Sequence, residues 1–416
     1  MENKHQLLKH ILRECTCPAC GYHIAVPFYD GQLQPLATVA WPISADKAIN
    51  MQRFPLDFLR CVDCGHIYNG SFDYSNVPYS VKPNLMFNNG KIWSSFLDNI
   101  VKELAGILTP GDTVIEIGYG DGSFLDRLAA LRTDVNFIGY DPHGLPVNSR
   151  SNTDFRNELF DPSVTIPEHK PALIISRHVL EHLNNPLGLI ESISFALTWC
   201  EIESYIYLEV PCVDNALMNQ RIIDFYYEHN SHFTTSSFNR MLECASVNVS
   251  WLGHGYGNEV IYALVQAGRN KSHAKLADES GDFLLQSKLN IDSIRKQLDS
   301  IMDKKVAIWG GTGKAAAFMN TYGLDFRLFP IVIDSDPAKV GTYVPGTGQE
   351  ILHREYLSEN PVDIIIIPMH WRAQDVVNEI HSHNIKYTTI LIEYRGRLID
   401  FFDESHPYRI TGLSGQ

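Results

Sequence analysis

Two stretches of this sequence share one layout, and that layout limits what the chain can fold into. TVIEIGY (113–119) is a short β-branched run that passes into the glycine-rich GYGDGS and then into FLDRLAALR, where apolar residues recur at helical spacing. VAIWGGTGKAAAFMN (306–320) repeats the order of strand, glycine turn and helix. Further apolar runs follow each unit: NFIGYD (136–141) and ALIISR (172–177) after the first, IVIDSD (331–336), DIIIIP (363–368) and TILIEY (389–394) after the second. Strands that are apolar on both faces and alternate with helices predict buried, mainly parallel sheets. The chain is therefore expected to be α/β, with two such sheets. Hydrophobic residues make up 44% of 416, which is ample for two or three cores.

The head of the chain has a different texture. Cys17-x-x-Cys20 and Cys61-x-x-Cys64 are each followed by glycine, Gly21 and Gly65, which suits a tight knuckle. Four thiolates close a tetrahedral zinc shell with no position open to water, so a structural Zn2+ is expected there. The gap between the pairs is wider than in compact zinc ribbons and predicts a small β-rich insert. Cys15 and His66 stand close enough in sequence to be substitute ligands.

Bulk properties exclude several classes of function. The formal charge is −14, and no strong basic cluster is present to neutralise a nucleic-acid backbone. There is no apolar run of about 18 residues, so no transmembrane helix and no membrane partner are expected. The start, MENKHQLLKHILREC, lacks a signal-peptide core. Eight cysteines without a disulfide-like framework fit a reduced, cytoplasmic protein.

In the first α/β unit, Glu116 precedes Gly118, Gly120 and Gly122, and Asp141 ends the next strand, where a carboxylate can hold both ribose hydroxyls. The spacing is E-x-G-x-G-x-G rather than the dinucleotide G-x-G-x-x-G. It resembles the first motif of class I S-adenosylmethionine (SAM) methyltransferases. ALIISRHVLEHLNNP (172–186) resembles the fourth-strand motif of the same family and carries Arg177, His178 and His182.

DFYYEHNSHFTTSSF (224–238) crowds Tyr226, Tyr227, Glu228, His229 and His232 together. With the cysteine head, GQLQPLATVAWP (31–42), FPLDFLRCVDCG (54–65) and the long C-terminal extension, it resembles the three-domain sugar 3-C-methyltransferases. That resemblance covers nearly the whole chain. It implies a zinc-binding domain at 1–78, a SAM-dependent domain at 79–268, a connecting helix at 269–303 and a Rossmann-like domain at 304–416. It also implies catalysis by His229 as base, with Glu228, Tyr226, Tyr79 and His182 around it, acting on a nucleotide-linked 4-keto-6-deoxy sugar. SAM would be held by Glu116, Gly118, Gly120, Gly122, Asp141, Arg177 and His178.

Tyr226 and Tyr227 differ by one position; the family spacing favours Tyr226. His232 stands where an aromatic is expected, and Arg177 where related enzymes often carry Asn.

The second unit fits a dinucleotide fingerprint through Gly311, Gly313, Ala316 and Asp334, which read alone would suggest an oxidoreductase. The resemblance implies instead that Gly311, Gly313, Lys314, Asp334 and His370 hold the nucleotide part of the substrate, with the active site in a cleft between the two α/β units. Trp371 lies beside His370 at a carboxyl strand end. An O- or N-methyltransferase on the same scaffold is the alternative activity, and a nucleic-acid-binding zinc protein is a remote one. A monomer or homodimer is expected.

Overall fold

The computed structural model describes residues 12–77, 90–268, 271–403 and 406–409. The chain forms two compact units, Met1–Leu276 and Ala277–Gln416. The helix Lys271–Asp299 runs through the division.

In the first unit an antiparallel sheet comprises β1 (Arg13–Glu14), β2 (Ile24–Gln34), β3 (Phe54–Cys61), β4 (Ile67–Asn69) and, from far along the chain, β10 (Ser231–His232). β3, FPLDFLRC, alternates buried and exposed positions at its start because one face packs inward. Pro27, which cannot donate to a ladder, sits at a register shift of β2 against β3.

The second sheet contains β5 (Thr113–Ile117), β6 (Asn136–Tyr140), β7 (Thr153–Arg156), β8 (Leu173–Arg177), β9 (Ser204–Pro211), β11 (Asn248–Gly255) and β12 (Val260–Ala267). Their spatial order is β7-β6-β5-β8-β9-β12-β11. β5 to β9 pair in parallel, whereas β12 runs antiparallel to both β9 and β11. This is the doubly wound order that reverses direction beside β5, the place where such sheets bind ligands. It is the class I methyltransferase sheet that the glycine motif led us to expect.

Apolar cores lie on both faces. Helix Lys91–Ile107 buries Trp93, Leu97, Ile100, Val101 and Leu104, which recur at i+3 and i+4 along one helical face, against one side. On the other side, helix Pro186–Trp199 shares a core with Leu59, Tyr68, Cys17 and Cys61, so the cysteine head is continuous with the methyltransferase sheet. A smaller core joins Phe54, Phe58 and Ile67 to Val213, Phe225 and Tyr227. Each fully buried phenylalanine in it contributes about 1.5–3 kcal/mol. The segment carrying His229 is thereby fastened to the cysteine-bearing lobe.

The second unit holds β13 (Val306–Trp309), β14 (Ile331–Asp334), β15 (Ile351–His353), β16 (Ile364–Ile366), β17 (Thr389–Tyr394) and β18 (Arg397–Asp400). Their order is β15-β14-β13-β16-β17-β18, parallel except for β18. It is the Rossmann-like sheet predicted from the second glycine turn. Among the described residues, no helix is long and apolar enough to cross a membrane.

Candidate active site

A cleft of about 330 Å³ opens at the carboxyl ends of β5, β6 and β8. Gly118, with φ of +74°, turns the chain off β5, and a Cβ there would meet Val179 Cγ2 at 2.5 Å. Gly122, with φ of +69°, caps helix Ser123–Leu131. Only glycine adopts this backbone without strain, so the loop lies flat against the cleft.

Asp141 is held in place from behind, since its Oδ2 accepts from Gly120 N at 3.0 Å and its Oδ1 from His143 N at 2.8 Å. Glu116 is buried, and its Oε2 has no hydrogen-bond partner among the described residues. Burial pushes its pKa up to about 8, against the pull of Arg177 and with the nearby carboxylates Asp121, Glu209 and Asp141 adding to the rise. An apolar-walled cleft with an orphaned carboxylate, a positioned Asp and a glycine cradle fits a cationic, ribose-bearing cofactor such as SAM.

The floor of the cleft is charged. Glu209 on β9 is fully buried, and its Oε1 accepts from Arg177 Nη2 at 2.8 Å and Nε at 3.1 Å. Tyr207 donates to Glu209 Oε2 at 2.7 Å. The Arg177 guanidinium stacks over Phe124, 4.1 Å from the ring centre.

His178 takes a left-handed backbone, φ +52°, and its N donates to Glu209 O at 2.9 Å. Its Nε2 lies 3.0 Å from Glu209 Oε1, a charge contact whose N–H is not aligned for a hydrogen bond. Its Nδ1 lies 3.4 Å from Glu181 Oε1. Burial opposes charging this ring, but Glu181 and Glu209 prevail and raise its pKa to about 9. Glu209 in turn is held down to about 2, because Arg177 and His178 outweigh the cost of its burial.

Glu209 was not among the residues singled out from the sequence. The signal was there: a carboxylate in the otherwise apolar strand YIYLEV must be paired once buried.

His182 also lines the cleft, and its ring meets that of His229 edge-on at 4.8 Å. His182 Nδ1 is 2.8 Å from Glu228 O. His229 Nε2 lies 2.8 Å from Tyr226 Oη. Burial first, and then electrostatic repulsion among the neighbouring His182, His232 and His178 rings against a further charge, holds His229 well below the ordinary histidine range, so the ring is neutral. Burial, with Glu181, Glu228 and Asp224 adding to it, raises Tyr226 far above an ordinary tyrosine, so its hydroxyl stays protonated.

The two tyrosines separate cleanly. Tyr227 is buried, and its Oη accepts from Asp73 N at 3.0 Å and Asn76 Nδ2 at 3.1 Å, away from His229. Glu228 Oε1 accepts from Thr38 N at 2.6 Å and Val39 N at 3.3 Å, tying the insert of the cysteine lobe to this segment. His232 Nε2 bonds Asp224 O at 2.9 Å, and burial lowers its pKa to about 4. Tyr79 lies outside the described residues.

Cys17, Cys20, Cys61 and Cys64 converge, with all four sulfurs within 4.8 Å of one another. Cys17 Sγ to Cys64 Sγ is 3.8 Å and Cys20 Sγ to Cys61 Sγ is 3.7 Å. Sulfurs at about 2.3 Å from a zinc ion define a tetrahedron with edges of about 3.8 Å. A disulfide would need about 2.05 Å. The quartet is a candidate metal site. Cys15 bonds Tyr68 Oη at 3.0 Å, and His66 lies 3.4 Å from Ser237 Oγ; neither joins the quartet.

In the second unit a groove of about 350 Å³ is lined by Trp309, Thr312, Asp334, Lys339, Met369 and Arg372. Gly311 N donates to Asp334 Oδ2 at 3.1 Å, and Lys339 Nζ does so at 3.3 Å. Gly313 caps helix Lys314–Tyr322 with φ +60°. Lys314 and His370 do not line this groove; His370 instead rests on Tyr408, ring centres 5.0 Å apart. Lys339 and Arg372 are its cations, and sequence reasoning had chosen Lys314.

Comparison with known proteins agrees with this geometry. Residues 91–249 match the family described as "Methyltransferase domain", and residues 286–393 match "C-methyltransferase C-terminal domain". The C-methyltransferase NovU of Streptomyces niveus is 22% identical over 374 residues, covering 80% of this chain and 84% of that protein.

Among solved structures, a SAM-dependent methyltransferase from Aquifex aeolicus aligns at 13% identity and a TM-score of 0.31, over 44% of this chain and 100% of that one. Magnesium protoporphyrin IX methyltransferase of Synechocystis PCC 6803 aligns at 14% and 0.32, over 44% and 89%. The matched methyltransferase domain, the matched C-methyltransferase C-terminal domain and the C-methyltransferase relative mark this chain as a SAM-dependent C-methyltransferase.

Proposed function

We propose that the enzyme methylates C3 of a nucleotide-diphosphate-linked 4-keto-6-deoxy sugar. The observation that supports this most is the adjacency of His182 and His229: one ring both lines the cofactor cleft and packs on the other at 4.8 Å. A base placed there stands beside the point of methyl delivery.

The chemistry follows from the protonation states. A ketone at C4 acidifies the hydrogen on C3, and a neutral imidazole removes it. His229 takes that proton. Tyr226, kept protonated, offers its hydroxyl to the developing enolate oxygen, and the C3 carbanion becomes the nucleophile. SAM, when bound, supplies an electrophilic methyl group. Glu116, Asp141 and the glycine turn hold and orient the cofactor, and Arg177 presents a fixed cation for its carboxylate end. Glu228 acts as a positioning residue: by gripping Thr38 and Val39 it fixes the backbone that presents His229.

The four cysteines hold a structural Zn2+, which leaves no site for substrate at that ion. The groove of the C-terminal unit holds the nucleotide end of the substrate. The diphosphate would face Lys339 and Arg372 beside Gly310 and Thr312, at the carboxyl ends of parallel strands.

The test is product identity. Incubation with SAM and nucleotide-diphosphate 4-keto-6-deoxyhexoses, followed by NMR of the product, should place the new methyl on C3. A methyl on oxygen or nitrogen would overturn the proposal in favour of the O- or N-methyltransferase reading.

A further inference from the structure

One donor cluster shares no residue with either the cleft or the cysteine quartet. Cys212 follows β9, Asp214 opens the short helix Asp214–Met218, and His254 stands near the end of β11. A thiol sulfur, a carboxylate oxygen and an imidazole nitrogen from these three residues lie within 4.8 Å of one another. Cys212 and Asp214 come from one short stretch after β9, and the β11–β12 hairpin brings His254 to them.

The surroundings hold the donors in place. Thr235 N donates to Asp214 Oδ2 at 3.1 Å, and the Thr235 hydroxyl bonds the same oxygen. That hydroxyl also lies 2.8 Å from His254 Nε2. Cys212 N donates to Glu259 O and Val213 N to Phe233 O, each at 2.9 Å, which fixes the backbone on both sides of the thiol. The Thr235 bonds to Asp214 orient that carboxylate as outer-shell partners of metal ligands do, whereas the His254 contact holds the ring in reserve beside it. Cys212 is 2% exposed while His254 is exposed, so one ligand is sequestered and one side admits an ion from solvent.

We infer that Cys212, Asp214 and His254 form a second metal site, taking a zinc-like divalent transition ion with water as the fourth ligand. One sulfur and one nitrogen donor exclude Mg2+ and Ca2+, which take oxygen. Tetrahedral ligands at about 2.0–2.3 Å from the metal stand roughly 3.3–3.8 Å apart. Closure from the present spacing needs movement of the exposed His254 side chain and release of its bond to Thr235. Cys212 also bridges Phe233, directly after β10, so the ion would pin β9, the β11–β12 hairpin and the end of the His229 segment to one another.

The experiment is metal counting on the full chain. Wild type, Cys212→Ser and His254→Ala are exchanged into excess Zn2+, desalted, and measured for zinc per chain by mass spectrometry; Co2+ spectra follow. Each variant should hold one equivalent less than wild type, while the cysteine quartet keeps its ion as an internal control. The wild-type Co2+ spectrum should contain a single-thiolate band that is lost in Cys212→Ser. Far-UV circular dichroism confirms folding, and Asp214→Asn supplies a further variant if Cys212→Ser is unstable. Equal zinc in wild type and both variants would overturn the inference. So would loss in His254→Ala alone, which would show a surface imidazole binding without the thiolate.

Discussion

Replacing Glu209 by glutamine is the sharpest way to perturb the charged floor of the cleft. The amide keeps the size of the side chain and can still accept from Tyr207, whose hydroxyl now donates at 2.7 Å. What disappears is the counter-charge for Arg177 and one of two for His178. Breaking a buried ion pair by removing one partner costs about 3–5 kcal/mol, because the remaining charge stays desolvated.

Glu116 should moderate that cost. Glu209 is among the carboxylates that hold its pKa up near 8, so its removal favours ionised Glu116 as a substitute partner for Arg177. The expected loss is therefore near the lower end, about 3 kcal/mol in urea unfolding at pH 7.

The pH dependence has a definite sign. The folded pKa of His178, about 9, stands above its unfolded value of about 6.5. Its contribution to stability is complete below about pH 6.5 and is lost as pH rises through about 9. In Glu209→Gln the loss should begin at lower pH, because only Glu181 remains to favour the imidazolium. Glu209 itself has a depressed folded pKa, so its contribution is present above its unfolded pKa near 4.3 and disappears as pH falls toward about 2. Isothermal titration should show weakened SAM binding as Arg177 loses its orientation. A stability change below about 1 kcal/mol with unaltered SAM affinity would refute the assignment of Glu209 as the anchor of this network.

Three further outcomes follow from individual contacts. Cys61→Ser should yield protein with less than stoichiometric metal and a lower melting temperature, since metal binding to such a quartet is coupled to folding; full stability without metal would contradict it. Gly118→Ala places a Cβ 2.5 Å from Val179 Cγ2 at a φ of +74°, so SAM affinity should fall and stability drop by about 1–2 kcal/mol; calorimetric titration and melting measure the two effects. Tyr227→Phe removes the partner of Asp73 N and Asn76 Nδ2 and should cost stability by about 1 kcal/mol with little change in kcat, whereas Tyr226→Phe, which leaves His229 Nε2 without its partner, should cost a similar amount and also lower kcat.

The α/β framework was legible because its signals are local. Runs such as TVIEI, LIISR and VAIW are apolar on both faces, and glycine turns at Gly118–Gly122 and Gly310–Gly313 mark where strand gives way to helix. The convergence of the two C-x-x-C pairs was legible because four thiols at such spacing can close one tetrahedral shell.

What escaped the sequence depends on distant pairing. β10 is only Ser231–His232, too short for any periodicity, yet it joins the sheet of the cysteine lobe through β4. Nothing near Glu228 in the chain announces that its partners are Thr38 and Val39. The family spacing favours Tyr226, but the reason lies in packing that no local signal shows: Tyr227 is turned away from His229 onto Phe54 and Phe72. Lys339, in the turn after β14, and Arg372, in the short 3-10 helix after β16, flank the second groove where the glycine motif gives no guidance.

The central claim is proton removal by His229, and hydrogen exchange without methyl transfer isolates it. The enzyme is incubated in deuterated water with a nucleotide-diphosphate 4-keto-6-deoxyhexose and S-adenosylhomocysteine in place of SAM, and deuterium at C3 is followed by NMR. Wild type should exchange C3, and His229→Asn should not, while SAM affinity in the variant stays close to wild type. Exchange at an undiminished rate in His229→Asn would contradict the account.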